Sequence, residues 1–495
     1  MRRIVTSRLD AIPEVRIDPD SAIAKHRQVY DALRRAIAEG RLAPDDELPS
    51  TRELARELGV SRNTTVAAYD MLLAEGYVVS RGGAGTFVAR SGVLAPAAEP
   101  RAALEPRPLS GTADMLRVSR VPGPFGAARP FRPSSPSLDA FPYAAWSQTA
   151  ARALRRDRVW MSDGDPVGLR SLRQSIARHV HAFRSSPCDP DQVIVTPGAQ
   201  SALFLCSMLL LDPNDAVWIE EPGYQHARVA FRTRTERVIP VPLDESGIDI
   251  DAGRALSPQP RVIFTTPTQQ WPTGITMSAQ RKRALLDFAA ERGAWIIEDD
   301  YCGELRFDRR TYAALRGLDD ADRVIHLGTF SKTLTPGLRV AFLVVPHDLV
   351  DAFAAAQQAA SRFPNLIAQV VLADFIESGA YARHVYDMQV LYQERHELLR
   401  ARIASKLAGI LLAKPSTGGT FTVTELAAGF DDVALARALE REGFESMPLS
   451  AAYAGSAVRR GLLLGHAVGK PEQIRAGVDT IERIAATRIA SVRAF

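Results

Sequence analysis

A chain of 495 residues, 46% hydrophobic and 24% charged, is larger than one hydrophobic core serves and carries no apolar run near the roughly 18 residues of a membrane span. These figures exclude a disordered chain and a membrane-spanning one, and they set an expectation of two or three globular domains. The net charge is only +4, and positions 1–90 hold 14 basic against 13 acidic residues, so a nucleic-acid role has to rest on pattern rather than on charge.

The opening MRRIVTSRLDAIPEV lacks the apolar core and small-residue cleavage site of a secretory signal, which makes the cytoplasm the expected location. Cys188, Cys206 and Cys302 are odd in number and far apart. They suit a reducing compartment, form no disulfide framework or zinc site, and leave no metal to be expected.

A first helix is predicted over AKHRQVYDALRRAIAEG. Ser50 followed by Glu53 is a capping box; Leu54 and Leu58 then share a face, and Gly59 can close that helix in the left-handed conformation. Ser61 can cap the next, whose Val66, Tyr69, Leu72 and Leu73 share a face before Gly76 ends it. Two helices joined so tightly make a helix-turn-helix, in which the start of the second helix meets base edges. YVVS and TFVA around RGGAG read as a β-hairpin. Such patterns also serve as protein-interaction modules, with the arginines a solvated face.

Turn, spacing and wing together make residues 20–90 similar to the GntR-type winged-helix DNA-binding domain. The resemblance implies that Arg52, Arg62, Asn63 and Thr64 face double-stranded operator DNA. Arg81 and Gly82 in the wing would reach phosphate or the minor groove. Residues 91–137 are rich in proline, alanine and arginine and lack an apolar period. A semi-extended tether and a loop wrapped along one path both fit that composition.

From 138 to 495, helical patterns such as GLRSLRQSIARHVHAF alternate with apolar runs: QVIVTPG, AVWIEEPG, RVIFTTPT, AWIIEDDY and RVIHLGTF. That alternation predicts an α/β sheet whose ligands collect at the carboxyl ends of its strands. Thirty-three positions separate Asp299 from Lys332, about one strand-to-strand crossover, so both can stand at one sheet edge. A lysine and a carboxylate flanking one ligand suit pyridoxal 5′-phosphate, held by the lysine as a Schiff base while the aspartate keeps the pyridine nitrogen protonated. Lys332 and Asp299 take those roles. Gly198, Ala199 and Gln200 open a helix after a strand and offer N–H groups to the phosphate, with Thr329, Ser331 and Arg339 completing the cup. Tyr224 is the candidate for the ring face and Tyr301 for the phenolic oxygen.

TPTQQWPTG, IEDDYCGELRF and GTFSKTLTPGLR, taken with that order of residues, resemble the MocR/GabR family, which joins a GntR-type winged helix to a fold-type I aminotransferase-like domain. The resemblance implies a multidomain chain, an α+β winged helix followed by an α/β aminotransferase-like domain, and adds Gln270 to the cofactor contacts. It further implies a head-to-tail homodimer that regulates transcription by sensing PLP, or its aldimine with a small amine, with at most residual transaminase activity. A working aminotransferase with an accessory DNA-binding domain is the competing expectation.

In this fold a C-terminal Leu-Arg-Leu-Gly usually grips the substrate carboxylate, whereas here GLLLGHA puts Leu463 in the arginine's place. His226, Arg460 and His466 are the remaining candidates for an effector, and each is equally readable as packing or surface. The departure favours a ligand other than an ordinary α-amino acid, or PLP alone.

Overall fold

The computed structural model describes residues 17–82, 85–90, 108–119, 126–156, 158–308, 310 and 312–493, without the side chains of 487–493. The opening segment and about half of the tether, residues 91–107 and 120–125, lie outside the described residues. The chain divides into two compact units, Met1–Pro108 and Leu109–Phe495.

In the first unit, α1 (Lys25–Ala38), α2 (Thr51–Glu57) and α3 (Arg62–Ala74) pack around Leu33, Leu54, Ala68 and Leu72. The capping box forms as expected: Ser50 Oγ accepts from the Glu53 N–H, and the Glu53 carboxylate accepts from the Ser50 N–H. Gly59 and Gly76 both have positive φ, which stops each helix at little cost. The buried face of α3 is Thr65, Ala68, Tyr69 and Leu72. Val66 and Leu73 are only half-buried, because the Thr65 hydroxyl donates to the Thr51 carbonyl (2.8 Å) and turns its own side of the helix against α2. The hairpin β2 (Val78–Arg81) and β3 (Gly85–Val88) forms, and β1 (Glu47–Leu48) pairs with β3 to make a three-stranded wing.

The second unit is built on eight strands: β4 (Val193–Thr196), β5 (Val217–Glu221), β6 (Val238–Asp244), β7 (Gly247–Ile248), β8 (Val262–Thr265), β9 (Trp295–Asp300), β10 (Val324–Thr329) and β11 (Ala341–Val344). Their order is β4-β11-β10-β9-β8-β5-β6-β7, with β6, β5, β8, β9 and β10 parallel. All five apolar runs picked out above are strands of this sheet. Strands covered on both faces read as continuous Val/Ile/Leu. Ile219, Phe264, Ile297 and Leu327 pack toward the helix Ala199–Leu210, and Trp218, Ile263, Ile296 and Val324 toward the helix Ala279–Arg292.

A second sheet, β12 (Leu411–Ala413), β13 (Phe421–Leu426), β14 (Met447–Pro448) and β15 (Leu462–Gly465), is ordered β12-β13-β15-β14. Helices Ala380–Lys406, Asp432–Arg441 and Pro471–Arg493 cover it through Leu399, Leu439 and Val478.

Over residues 126–137 the chain follows the second of the two courses that its composition allows, a loop wrapped along one path. Phe131 is fully buried and bridges to Gly465, and Arg132 is clamped by Glu445. A Cβ at Gly465 would strike the Arg132 carbonyl, so glycine lets this segment cross β15. Among the described residues no helix is long and apolar enough to cross a membrane.

Candidate cofactor site and DNA-facing helix

The carboxyl ends of β9 and β10 place the two principal residues side by side. Leu327 is the register partner of Asp299, and the chain leaves β10 at Thr329 to reach Lys332. Asp299 sits on the face that carries Ile297, turned toward the helix Ala199–Leu210. The Lys332 ammonium donates to the Ser134 carbonyl (2.8 Å). Burial lowers its pKa, opposed by the negative fields of Cys302 and Asp299. Burial and the neighbouring Asp300 raise the Asp299 carboxyl to about 7, with Lys332 and His326 pulling the other way.

Asp299 Oδ1 is buried without a hydrogen-bond partner, and the buried Tyr301 hydroxyl has only the weak Cys302 thiol near it. Orphaned buried polar atoms carry a desolvation penalty and ask for an absent partner. The two orphans match the two polar features of a pyridoxal ring, its nitrogen and its phenolic oxygen, so the residues present fit that cofactor.

Around the opposite end of the site, Gly198 takes φ +98° just before the helix Ala199–Leu210. A Cβ there would lie 2.7 Å from Arg339 Nη2, so glycine is what admits the guanidinium. Arg339, itself left-handed at φ 52°, donates to the Pro197 carbonyl (2.8 Å). Thr329 and Ser331 hydrogen-bond each other through their hydroxyls (3.1 Å). A helix start, an arginine and two hydroxyls make an anion cup. Gln200 joins through its main chain, while its side chain donates to the His226 carbonyl (3.0 Å). Tyr224 packs edge-on to Trp271, with ring centroids 5.6 Å apart.

Three expected ligand residues are otherwise engaged. The Gln270 amide donates to Glu220 (3.2 Å) and to the Pro222 and Trp271 carbonyls, and its oxygen accepts from Thr273. It braces the loop after β8 and leaves no donor for a cofactor. His466 is fully buried, with Nδ1 on Thr422 (3.1 Å) and Nε2 on the Gly419 carbonyl (3.0 Å), and burial holds its pKa well below the usual value. Arg460 is half-exposed beside Asp431 and Asp432, both at 3.8 Å, so it belongs to the outer edge of the second sheet. His226 does stay near the site: its ring lies 5.4 Å from that of Tyr224, and burial followed by the charge of Lys332 lowers its pKa. Leu463 is buried in one apolar cluster with Trp271, Tyr301 and Phe421, and Tyr224 packs against that cluster.

On the first unit, Arg52, Arg62 and Asn63 are exposed at the first turns of α2 and α3, and Thr64 shares its hydroxyl with Ser61 (2.9 Å). Arg81 pairs with Asp45 (2.5 Å) and lies over the Phe87 ring at 4.6 Å, beside the exposed Gly82.

Several contributors escaped the sequence reading. Ser134 acts through its carbonyl, which residue type does not advertise. Glu220, buried beneath Thr265, Thr266 and Gln270, carried no motif. Arg184, Asp300 and His326 gather behind β9; only the doubled aspartate gave a hint.

The family described as aminotransferase class I and II matches residues 136–480, and the gntR family of bacterial regulatory proteins matches residues 25–88. The probable rhizopine catabolism regulatory protein MocR of Rhizobium meliloti is 36% identical over 481 residues, covering 94% of each chain. The pyridoxine biosynthesis transcriptional regulator PdxR of Corynebacterium glutamicum is 30% identical over 91% of this chain and 94% of its own. Among solved structures, the α-aminoadipate aminotransferase LysN of Thermus thermophilus, in complex with N-(5′-phosphopyridoxyl)-L-leucine, has a TM-score of 0.68 and 27% identity over 77% of this chain and 96% of that one.

Proposed function

The chain belongs to the MocR/GabR family of transcriptional regulators, and on that premise we propose that it binds operator DNA through α3 and its wing and senses pyridoxal 5′-phosphate, with or without a small amine, in the second unit. The orphaned Asp299 carboxylate oxygen, set one strand from Lys332, is the observation that carries the cofactor half. When bound, the cofactor supplies an aldehyde that a primary amine captures and a ring that draws electrons from the captured group. Lys332 is the amine of the chain that holds it, and its burial favours the uncharged, nucleophilic form. Asp299 holds a proton on the ring nitrogen, Tyr301 orients the phenolic oxygen, and Arg339 with the start of the helix Ala199–Leu210 neutralises the phosphate. Tyr224 covers the ring.

Leu463 and the engaged Gln270 amide supply no donor for an α-carboxylate, which favours PLP alone or an amine lacking that group as the signal. Exposed Phe204 and Met208, one turn apart on the helix Ala199–Leu210, suit the face of a head-to-tail homodimer in the cytoplasm. A ligand shifts such a regulator only by its differential affinity for two states. The test is footprinting on DNA upstream of the chain's own gene and its neighbours, with and without PLP. Specific protection that changes with PLP is expected; protection in neither state would sink the reading and favour the enzyme.

A further inference from the structure

In the first unit one carboxylate holds two arginines of the wing. Asp45 Oδ1 accepts from Arg81 Nη2 (2.5 Å), at the end of β2, and its Oδ2 accepts from Arg90 Nε (2.5 Å), just past the end of β3. Arg81 also lies over the Phe87 ring at 4.6 Å, which holds its guanidinium against the hairpin. Asp45 has φ 68°, a left-handed conformation that glycine adopts freely and other residues only under constraint. The constraint is in the backbone: the Asp45 N–H donates to the Val88 carbonyl (2.9 Å) and the Val88 N–H to the Asp46 carbonyl (2.9 Å), pinning the turn before β1 to the end of β3. A glycine would satisfy that backbone. The aspartate adds a carboxylate at a point that both arginines reach, and strain retained where glycine would avoid it points to a use for the side chain.

The cluster is open to solvent: 51% of the Arg81 side chain, 82% of Arg90 and 30% of Asp45 stay exposed, so an incoming anion can reach both guanidiniums. Ion pairs so exposed are weak and readily exchanged. Carboxylate and phosphate oxygens accept from the same guanidinium donors, and phosphate contacts supply the sequence-independent part of DNA affinity. We propose that Asp45 competes with DNA phosphate for Arg81 and Arg90: it occupies both arginines in the free protein, yields them when the wing meets a duplex, and so lowers affinity evenly for every sequence. The inference rests on the DNA-binding reading above and concerns how tightly that unit holds a duplex.

The full-length protein is compared with D45N, with R81Q/R90Q and with the triple variant on operator and scrambled duplexes across a salt series. Asparagine tolerates positive φ, so D45N keeps the turn; D45G, also at ease there, is a second way to remove the carboxylate and should behave alike. D45N is expected to bind both duplexes roughly fivefold more tightly, as the release of two exposed pairs allows. Its salt dependence steepens by about one ion, and the ratio of operator to scrambled affinity stays that of wild type. In the R81Q/R90Q background the same substitution brings no such gain, because no arginine is left to release. A general effect of one fewer negative charge predicts equal gains in both backgrounds, and that result overturns the proposal. So does unchanged affinity, or a loss in D45N, which would make Asp45 a support that presents the arginines to DNA. A ratio that moves assigns Asp45 to base reading and overturns it too. Failure of wild type to bind any duplex strikes the DNA-binding reading. Elution of the same four proteins from immobilised heparin, a sulfated polyanion, along a salt gradient then judges this one, and identical elution of wild type and D45N overturns it.

Discussion

Asp299 and Lys332 rise from the ends of adjacent parallel strands, with Leu327 opposite the aspartate and the lysine just past the end of its strand. The lysine half of this pair is the simplest to test. Lys332→Ala removes one hydrogen bond, to the Ser134 carbonyl, from a half-buried side chain. The stability cost is about 1 kcal/mol. The visible absorption band that wild type gains on PLP addition is expected to disappear while the melting of the PLP-free protein stays nearly as it was. A variant spectrum identical to wild type would remove Lys332 from the site.

The aspartate half trades stability for function. Its pKa is raised from 3.8 to about 7, burial being the main cause and Asp300 the next. The folded state therefore holds a proton that the unfolded state releases, and stability contributed below pH 3.8 is lost as pH rises toward 7. Asp299→Asn abolishes that loss and is expected to stabilise the PLP-free protein at neutral pH, on the order of 4 kcal/mol. It also forfeits the ring-nitrogen contact, so added PLP should raise the variant's melting temperature less than it raises wild type's. Calorimetry with and without PLP reads both effects.

What the sequence made legible divides along physical lines. β5, β8, β9 and β10 are buried on both faces, so each opens on a short apolar run without alternation. The caps of α2 and α3 were equally plain, because a side chain bonds a backbone N–H three residues away. β6 was obscured by Pro240 and Pro242, and β12 and β14 are too short to show a period. The hydrogen bonds of Gln270 and His466 were illegible for one shared reason: their partners are distant carbonyls and hydroxyls that no local pattern announces. Residues 126–137 looked like linker because one buried aromatic, Phe131, and one clamped arginine leave no periodicity.

Arg62 opens α3 with its side chain exposed, where a helix-turn-helix meets base edges. Arg62→Ala is expected to weaken operator binding by about 1–3 kcal/mol and to relax preference at one base position. Arg52→Ala, if its partner is a phosphate, lowers affinity evenly across sequences and reduces the salt dependence by about one ion. Binding isotherms at several salt concentrations, on the operator and on a scrambled duplex, separate the two. Unchanged operator affinity for Arg62→Ala would mean that another surface of this unit meets DNA.

The Thr422 hydroxyl lies between two buried imidazoles, 2.9 Å from His396 Nδ1 and 3.1 Å from His466 Nδ1. His466 Nε2 donates to the Gly419 carbonyl, so its Nδ1 accepts the Thr422 proton, and His396 Nδ1 must donate to the same oxygen. His466 is thereby fixed as neutral, while His396 donates from Nδ1 in either charge state and its Nε2 is left buried without a partner. Burial, then the charge of Arg400, lowers the His396 pKa from 6.5 to about 4. Because the folded value is depressed, the unfolded chain takes up the proton first as pH falls. Stability that is full above 6.5 is lost on the way down to 4, by on the order of 2 to 3 kcal/mol. His396→Gln keeps a donor for Thr422 and removes the titration, so its denaturation midpoint should fall less than wild type's between pH 7 and pH 5. Parallel losses in the two proteins would show that acid acts elsewhere, in which case His466→Gln is the variant to measure.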